Sequence, residues 1–377
     1  MQLIKHLQLY FSVFSILFIV SFSFPFHVIP NLGGWLEPLF NELTVLVGGV
    51  FFNQPADSLQ YHSGEDSIGM LINTVTLLFV SGLIYGLLSF RFKQRLFEIS
   101  PYVVIFFRYY LAIMLLIYGF DKIYKFQFYY PEPNILYTKF KDLPMDLRYW
   151  STMGTSYSYS LFAGLIEVIP AILLLWRRTY LIGALIVFMV LANVFMTNIG
   201  FDITIKLYSF FLLSMCFILL LPNLKNIWMS LTQRKTENSE SPNLQLYKKQ
   251  YYIFLKVFVL IVFFFESQYK LIVTGSFNDD KEERPLLHGA YQVFGDMQTG
   301  VEWERIYFHR QGYFIVEDTD GQFYDYKMKI DTLNHQLNLT TYEKETISFD
   351  YIKNVDTLII YDEELGFKIK AMQVYKY

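Results

Sequence analysis

The chain has 377 residues, of which 54% are hydrophobic, 19% aromatic and 17% charged, with a mean hydropathy of +0.30. A soluble domain averages roughly 25% charged residues, so this composition excludes a disordered tail, a collagen and a purely soluble enzyme of this size. A net charge of −3 lacks the basic stripe that nucleic acid requires, and the single Cys216 rules out an intramolecular disulfide framework and any cysteine-built metal centre. Charge is unevenly spread: residues 275–377 hold 19 acidic and 11 basic side chains, a net of −8, whereas residues 1–274 carry a net of +5. The break near Gly275 marks a change of surroundings along the chain.

A bilayer core of about 30 Å needs about 20 mostly apolar residues in a helix. Seven stretches meet that requirement: residues 8–29, 68–90, 99–120, 157–176, 180–201, 204–221 and 251–273. Lys5 precedes the first, but no small-residue cleavage site follows and Pro25 and His27 do, so it reads as a retained anchor. Residues 36–52 are apolar but interrupted by Glu37, Pro38, Asn41 and Glu42, the pattern of an interfacial or re-entrant helix. Arg91, Lys93 and Arg95, then Arg177 and Arg178, then Lys225, Arg234, Lys235, Lys248 and Lys249 all fall on one side of a seven-span chain. Positive residues near span ends resist translocation, which places the N-terminus in the cytoplasm and the C-terminal region outside, with Lys122, Lys125, Lys139, Lys141 and Arg148 as an exception on the outer side, diluted by Asp121, Glu132, Asp142 and Asp146 in a longer loop. Residues 223–250, with a Thr-Glu-Asn-Ser-Glu-Ser-Pro run, read as a flexible cytoplasmic linker.

After the last span come short runs typical of strands: 290–294, 303–309, 313–317, 323–330, 336–341, 346–350, 357–361 and 367–375. Gln311-Gly312, Asp320-Gly321 and Leu365-Gly366 supply turns between them. Eight strands at this spacing predict a small antiparallel barrel or sandwich, and side chains normally fill a barrel so small, which favours a docking or capping role over a ligand cavity. The expected organisation is therefore two N-terminal transmembrane helices (1–98), a four-helix membrane core (99–222), the linker (223–250), a seventh span (251–274) and an extracytoplasmic β domain (275–377).

Charge inside hydrocarbon is expensive and is normally paired or functional. Counting residues along opposed spans places Arg108 and Glu167 at similar depth near the midplane, where they are expected to meet as a structural ion pair, a proton relay or a polar ligand anchor. A second group gathers toward the outer face: Asp121, Lys122, Asn193, Asn198, Asp202, Lys206 and Glu266. If these converge they form an outward-opening polar pocket for a headgroup, a quinone ring or a peptide; ordinary polar helix ends are the alternative. Asn193 and Glu266 sit deeper and need partners. Gly82 and Gly86 offer a small-xxx-small face for close helix packing, and Pro170 is placed to kink the fourth span beyond Glu167. No histidine lies in a span core, so an intramembrane bis-histidine haem has no ligands. The chain also lacks a dinucleotide fingerprint, a Walker loop and a His-Glu-x-x-His zinc signature, so no metal site is expected.

The segments RYYLAIMLLIYGFDKIYK (108–125), GLIEVIPAILLLWRRTYLIGALI (164–186) and NVFMTNIGFDITIKLYS (193–209) resemble the four-helix DoxX-like membrane family over roughly residues 99–222. On that resemblance Arg108, Gly119, Lys122, Gly164, Glu167 and Asn193 fall on recurrent positions. It implies a bacterial inner-membrane protein, since some members are small subunits of a thiosulfate:quinone oxidoreductase. The first two spans and the β domain are additions to it. With no catalytic constellation visible, the expected function is an accessory or scaffold subunit of a cell-envelope complex, partnered by the lipid bilayer and by a membrane or periplasmic protein. The alternatives are a quinone- or lipid-linked membrane enzyme, with quinone or lipid as the cofactor, and a small-molecule transporter.

Overall fold

The computed structural model describes residues 2–22, 26–30, 32–55, 59, 64–232, 249–294, 302–363 and 366–375. Pro25, His62 and residues 233–248, most of the expected linker, lie outside them. The chain divides into two compact units: residues 1–128 with 156–278, and residues 129–155 with 279–377.

The first unit is helical, with α1 (Gln2–Ser21), α2 (Leu32–Phe52), α3 (Ile68–Ile123), α6 (Tyr157–Leu175), α7 (Tyr180–Gly200), α8 (Lys206–Leu220), α9 (Leu224–Leu231), α10 (Lys249–Ser267) and α11 (Tyr269–Thr274). Two short helices, α4 (Pro133–Tyr137) and α5 (Met145–Gly154), belong to the second unit. α3 is 56 residues long, roughly 84 Å of helix and far more than one bilayer core. It breaks at Phe92 (φ −134°, ψ 28°), beside Arg91, and so forms two spans, Ile68–Phe92 and Gln94–Ile123. Ser67 and Ser156 start α3 and α6 by accepting the N–H of Met70 and Tyr159, as serine N-caps do. Among the described residues, seven stretches, α2 and both halves of α3 among them, are long and apolar enough to cross a membrane; α10 and the helical stretch from Tyr269, bent by 56°, add an eighth.

Residues 36–52, read as interfacial or re-entrant, thus lie within a 21-residue helix that runs through Pro38. Contacts on either side of it decide its part in the topology. Before it, the N–H groups of His27, Val28 and Ile29 donate to Glu266 at the end of α10; after it, Asp66 accepts the N–H groups of Lys206 and Leu207 at the start of α8. Ser21 meets Asn73, and Phe22 stacks on Tyr208, at this same end of the bundle. The chain therefore returns to the end it left, and α2 adds no net crossing. His6 packs on Tyr85 and Phe97, and Gln8 donates to the carbonyl of Ile218, at the opposite end. That end also carries Arg91, Arg95, Arg177, Arg178 and Lys225, the cationic residues grouped from the sequence.

Phenylalanines fill the core: Phe11, Phe14 and Phe18 of α1 surround Phe211 of α8, with the Phe18 and Phe211 rings 4.5 Å apart. The backbones of α3 and α6 approach closely. A Cβ on Gly164 would stand 2.5 Å from the carbonyl oxygen of Gly119, and one on Gly119 would stand 2.6 Å from Val168. Gly82 and Gly86, expected to serve this purpose, do not: both are exposed, Gly82 has only Tyr10 at 3.8 Å, and nothing approaches Gly86 within 4 Å.

In the second unit, β1 (Gly289–Val293), β2 (Trp303–His309), β3 (Tyr313–Asp318), β4 (Phe323–Asp331), β5 (Gln336–Thr340), β6 (Thr346–Lys353), β7 (Thr357–Asp362) and β8 (Phe367–Tyr375) form a closed antiparallel barrel, with β1 paired to β8. Gly312 and Gly321 sit at φ of 78° and 76°, conformations open to glycine without strain, where the sequence predicts turns. The interior is filled by side chains including Tyr291, Phe308, Phe314, Leu337, Phe349 and Ile369. Along β8, Ile369 and Ala371 point inward while Lys368 and Lys370 face out, as the alternation predicts. β2 and β3 depart from it: Ile306–Phe308 and Phe314–Glu317 are buried without interruption. Both faces are covered there, because Tyr137 of α4 packs outside on Tyr307 and Ile315.

The unequal use of the glycines is testable. Overpacking costs about 1–3 kcal/mol, so Gly164→Ala is expected to lower the melting temperature of the full chain in detergent, whereas Gly86→Ala leaves it unchanged.

Candidate functional site

The glycine crossing places the charges. Lys122 follows Gly119 by three residues and Glu167 follows Gly164 by three, so each charged side chain shares a helix face with the glycine at the crossing. With the backbones in contact, Lys122 Nζ reaches Glu167 Oε2 at 2.8 Å, and the two side chains are 10% and 4% exposed. The ammonium also lies 5.6 Å from the ring centres of Tyr118 and Phe128, and Ser160 Oγ donates to the Lys122 carbonyl at 2.6 Å.

Arg108 and Glu167, expected to meet, do not. Arg108 Nε donates to the carbonyl of Leu174 in the last turn of α6 at 2.8 Å, and its guanidinium lies 4.7 Å from the centre of the Tyr180 ring. A cation at a helix C-terminus satisfies a carbonyl that has no further turn to bond and complements the helix dipole. Arg108 and Glu167 are thus at different levels of the same helix pair.

The outer polar residues are likewise divided among separate tasks and do not converge on one pocket. Asp121 pairs with Lys270 at 2.6 Å, and exposed Asp202 pairs with Lys206 at 2.8 Å. Glu266, 4% exposed, accepts three backbone N–H groups at 2.7, 2.7 and 2.8 Å, which meets its need for partners within the fold. Asn198 is buried; its backbone carbonyl accepts the N–H of Ile203, while its Nδ2 has no partner among the described residues. Asn193, expected to be deep, lies on the exposed face of α7. The α6 helix continues through Pro170, at whose turn Gly183 of α7 lies close. Cys216 is buried and donates to the carbonyl of Ala184.

The second unit carries a polar centre that sequence reasoning missed. Glu132 is buried between His288 Nε2 at 3.0 Å and Arg310 Nε at 3.0 Å, with His309 Nε2 at 3.9 Å. Arg310 also pairs with Asp279 and covers the Tyr129 ring at 4.1 Å. Burial alone raises the Glu132 carboxyl, but the His288 hydrogen bond, the histidine charges and the Arg310 N–H together hold it below the usual carboxylate range. Burial is also the main reason His309 titrates below its usual value, with Arg310 and His288 adding to it against the pull of Glu132. Arg310 brings to Glu132 a positive charge that does not depend on pH in this range. The available signal was the His309-Arg310 pair directly after the buried run Ile306–Phe308.

Beside this centre, the 134–147 segment and the outer faces of β2–β4 enclose an open groove of about 1100 Å³. Tyr137, Tyr313, Phe323 and Tyr342 give it aromatic walls, and Arg305 and Glu317, 3.1 Å apart, lie along it. Tyr307 donates to Glu317 behind them, an acceptor that, after burial, raises the phenol above its usual range.

Removing one partner of a buried ion pair strands the other, at about 3–5 kcal/mol. Lys122→Met is expected to destabilise the chain by that order and the double variant Lys122→Met/Glu167→Met to recover most of it, as read by thermal unfolding in detergent. The second unit should also weaken in acid. His309 and Glu132 titrate below their usual values of 6.5 and 4.5, so their contributions are complete above those values and are lost as the pH falls through the lower folded-state ones. Thermal melts from above pH 6.5 downward should show a falling midpoint, and His309→Gln should remove the part that begins just below 6.5.

No protein-family profile matches the chain, and no solved structure matches it. An uncharacterized protein of Bacillus subtilis (strain 168), YwoB, is 36% identical over 114 residues, which cover 30% of this chain and 72% of that protein. By that likeness the chain belongs to the family of Bacillus subtilis YwoB.

Proposed function

We propose that this multi-pass membrane protein is an accessory or scaffold subunit of a bacterial cell-envelope complex, with its barrel as the docking module. One observation carries the reading. The ionisable side chains that the sequence offers as a reaction centre are committed to holding the fold: Lys122 to Glu167, Glu266 to three backbone N–H groups, Asp121 to Lys270. The barrel interior is occupied by side chains, whereas its outer face carries an open aromatic and charged groove. A quinone- or lipid-linked enzyme would need Glu167 or Lys122 to exchange its partner for a ligand. A transporter would need paired interrupted helices to line a path.

The setting proposed is the inner membrane, with the N-terminus in the cytoplasm and the barrel in the periplasm. It is supported by the cationic residues gathered at the end of the bundle where α1 begins, away from the end where α10 finishes. The DoxX-like relationship of residues 99–222 belongs to the same proposal, and Gly119, Gly164, Lys122 and Glu167, which carry that resemblance, form the helix crossing.

Purification from native membranes in mild detergent is expected to recover a stoichiometric protein partner, and Tyr342→Ala with Lys139→Glu, both in the groove, to lose it. Recovery of the chain alone counts against the docking role. Loss of a bound quinone on Glu167→Gln, with folding intact, would favour the enzyme instead. A reporter enzyme joined after Tyr377 should be active only outside the cytoplasm.

A further inference from the structure

Arg108 is the one cation named from the sequence as a site residue that the fold leaves without an opposite charge. It is 7% exposed, and no carboxylate pairs with it among the described residues. Its Nε is used by the Leu174 carbonyl. The two terminal amino groups find no acceptor among the described residues, and they are not among the sealed, unsatisfied atoms, so they remain open to the surface. The nearest acidic residue earlier in the helix, Glu98, lies about 15 Å away along the axis.

The guanidinium is held in place. The Leu174 bond and the Tyr180 ring fix its plane at the level of the turn between α6 and α7. Other cationic and aromatic groups gather there: Arg177 and Arg178 follow α6 in the turn itself, and Lys256 lies 5.8 Å from the centre of the Trp176 ring. A planar fork with free donors, backed by further cations and ringed by aromatic side chains that favour the membrane–water boundary, suits a phosphate oxygen pair. An uncompensated arginine among apolar helices is costly, and a counter-charge from the surroundings removes that cost.

We propose that Arg108, steadied by Leu174 and Tyr180, binds the phosphate group of an anionic glycerolipid at the cationic end of the helical bundle. The site stands apart from the docking role of the barrel, so losing a protein partner leaves it untouched. Native mass spectrometry of the full chain, delipidated in detergent, tests it with dioleoylphosphatidylglycerol, with dioleoylglycerol as the control that shares the tails and lacks the phosphate, and with inorganic phosphate. The wild-type chain is expected to retain the phospholipid and not the control. Arg108→Lys keeps the charge and the reach to Leu174 but loses the fork, and should weaken retention about tenfold, as expected for one charged hydrogen bond. Arg108→Gln, read only if its melting profile shows a folded chain, should abolish it. Equal retention of the two lipids, or undiminished phospholipid binding by the folded Arg108→Lys chain, overturns the proposal. Stabilisation of the wild type by inorganic phosphate, lost in Arg108→Lys and unaccompanied by phospholipid retention, overturns the lipid source and assigns the site to free phosphate.

Discussion

The contact of two backbones at Gly119 and Gly164 is the constraint on which the helical unit depends. A side chain at either position would separate α3 from α6, and the lysine and glutamate one turn further on would lose a 2.8 Å bond in surroundings with little water to replace it. The two features need each other. The glycines make the pair possible, and the pair fixes the rotation of each helix about its axis, which apolar packing alone specifies weakly.

Carboxylates elsewhere serve a related purpose by holding backbone instead of side chains. Glu266 gathers the N–H groups of His27, Val28 and Ile29, Asp66 caps the start of α8, and Asp331 accepts from Leu333 and Asn334 in the turn after β4. Each satisfies donors that a helix end or an irregular loop would otherwise leave bare. In the helical unit these anchors close the connections on both sides of α2, and so decide how many times the chain changes sides.

What the sequence disclosed follows from which signals are local. Hydropathy located the spans, and alternation with turn glycines located all eight strands within a few residues, because side-chain periodicity and positive-φ turns are properties of short segments. Counting residues puts Arg108 and Glu167 at one depth, but it does not give the register of a helix pair, and in the fold the two lie at different levels with different partners. The spacing of Gly119 to Lys122 and of Gly164 to Glu167 contained the better answer, since residues three apart share a face. Gly82 and Gly86 have the same appearance as text yet meet no backbone, only the Tyr10 ring beside Gly82, so a small-residue pair marks a crossing only where a second helix supplies the matching one. The Glu132 centre is legible only at one end: the His309-Arg310 pair stands out after an apolar run, but it and His288 join Glu132 from more than 150 residues away, and nothing local to Glu132 announces them.

The division of the chain has a consequence for its birth on the ribosome. Residues 129–155 belong with the barrel, yet they are synthesised between two membrane helices, well before β1. Tyr137 and Glu132 must wait, with their apolar and ionic partners unmade, through the translation of α6 to α10 until β2 and β3 emerge. The second unit is thus completed only after the membrane helices have been made, and a chain that stops before β2 and β3 carries a loop whose partners do not yet exist.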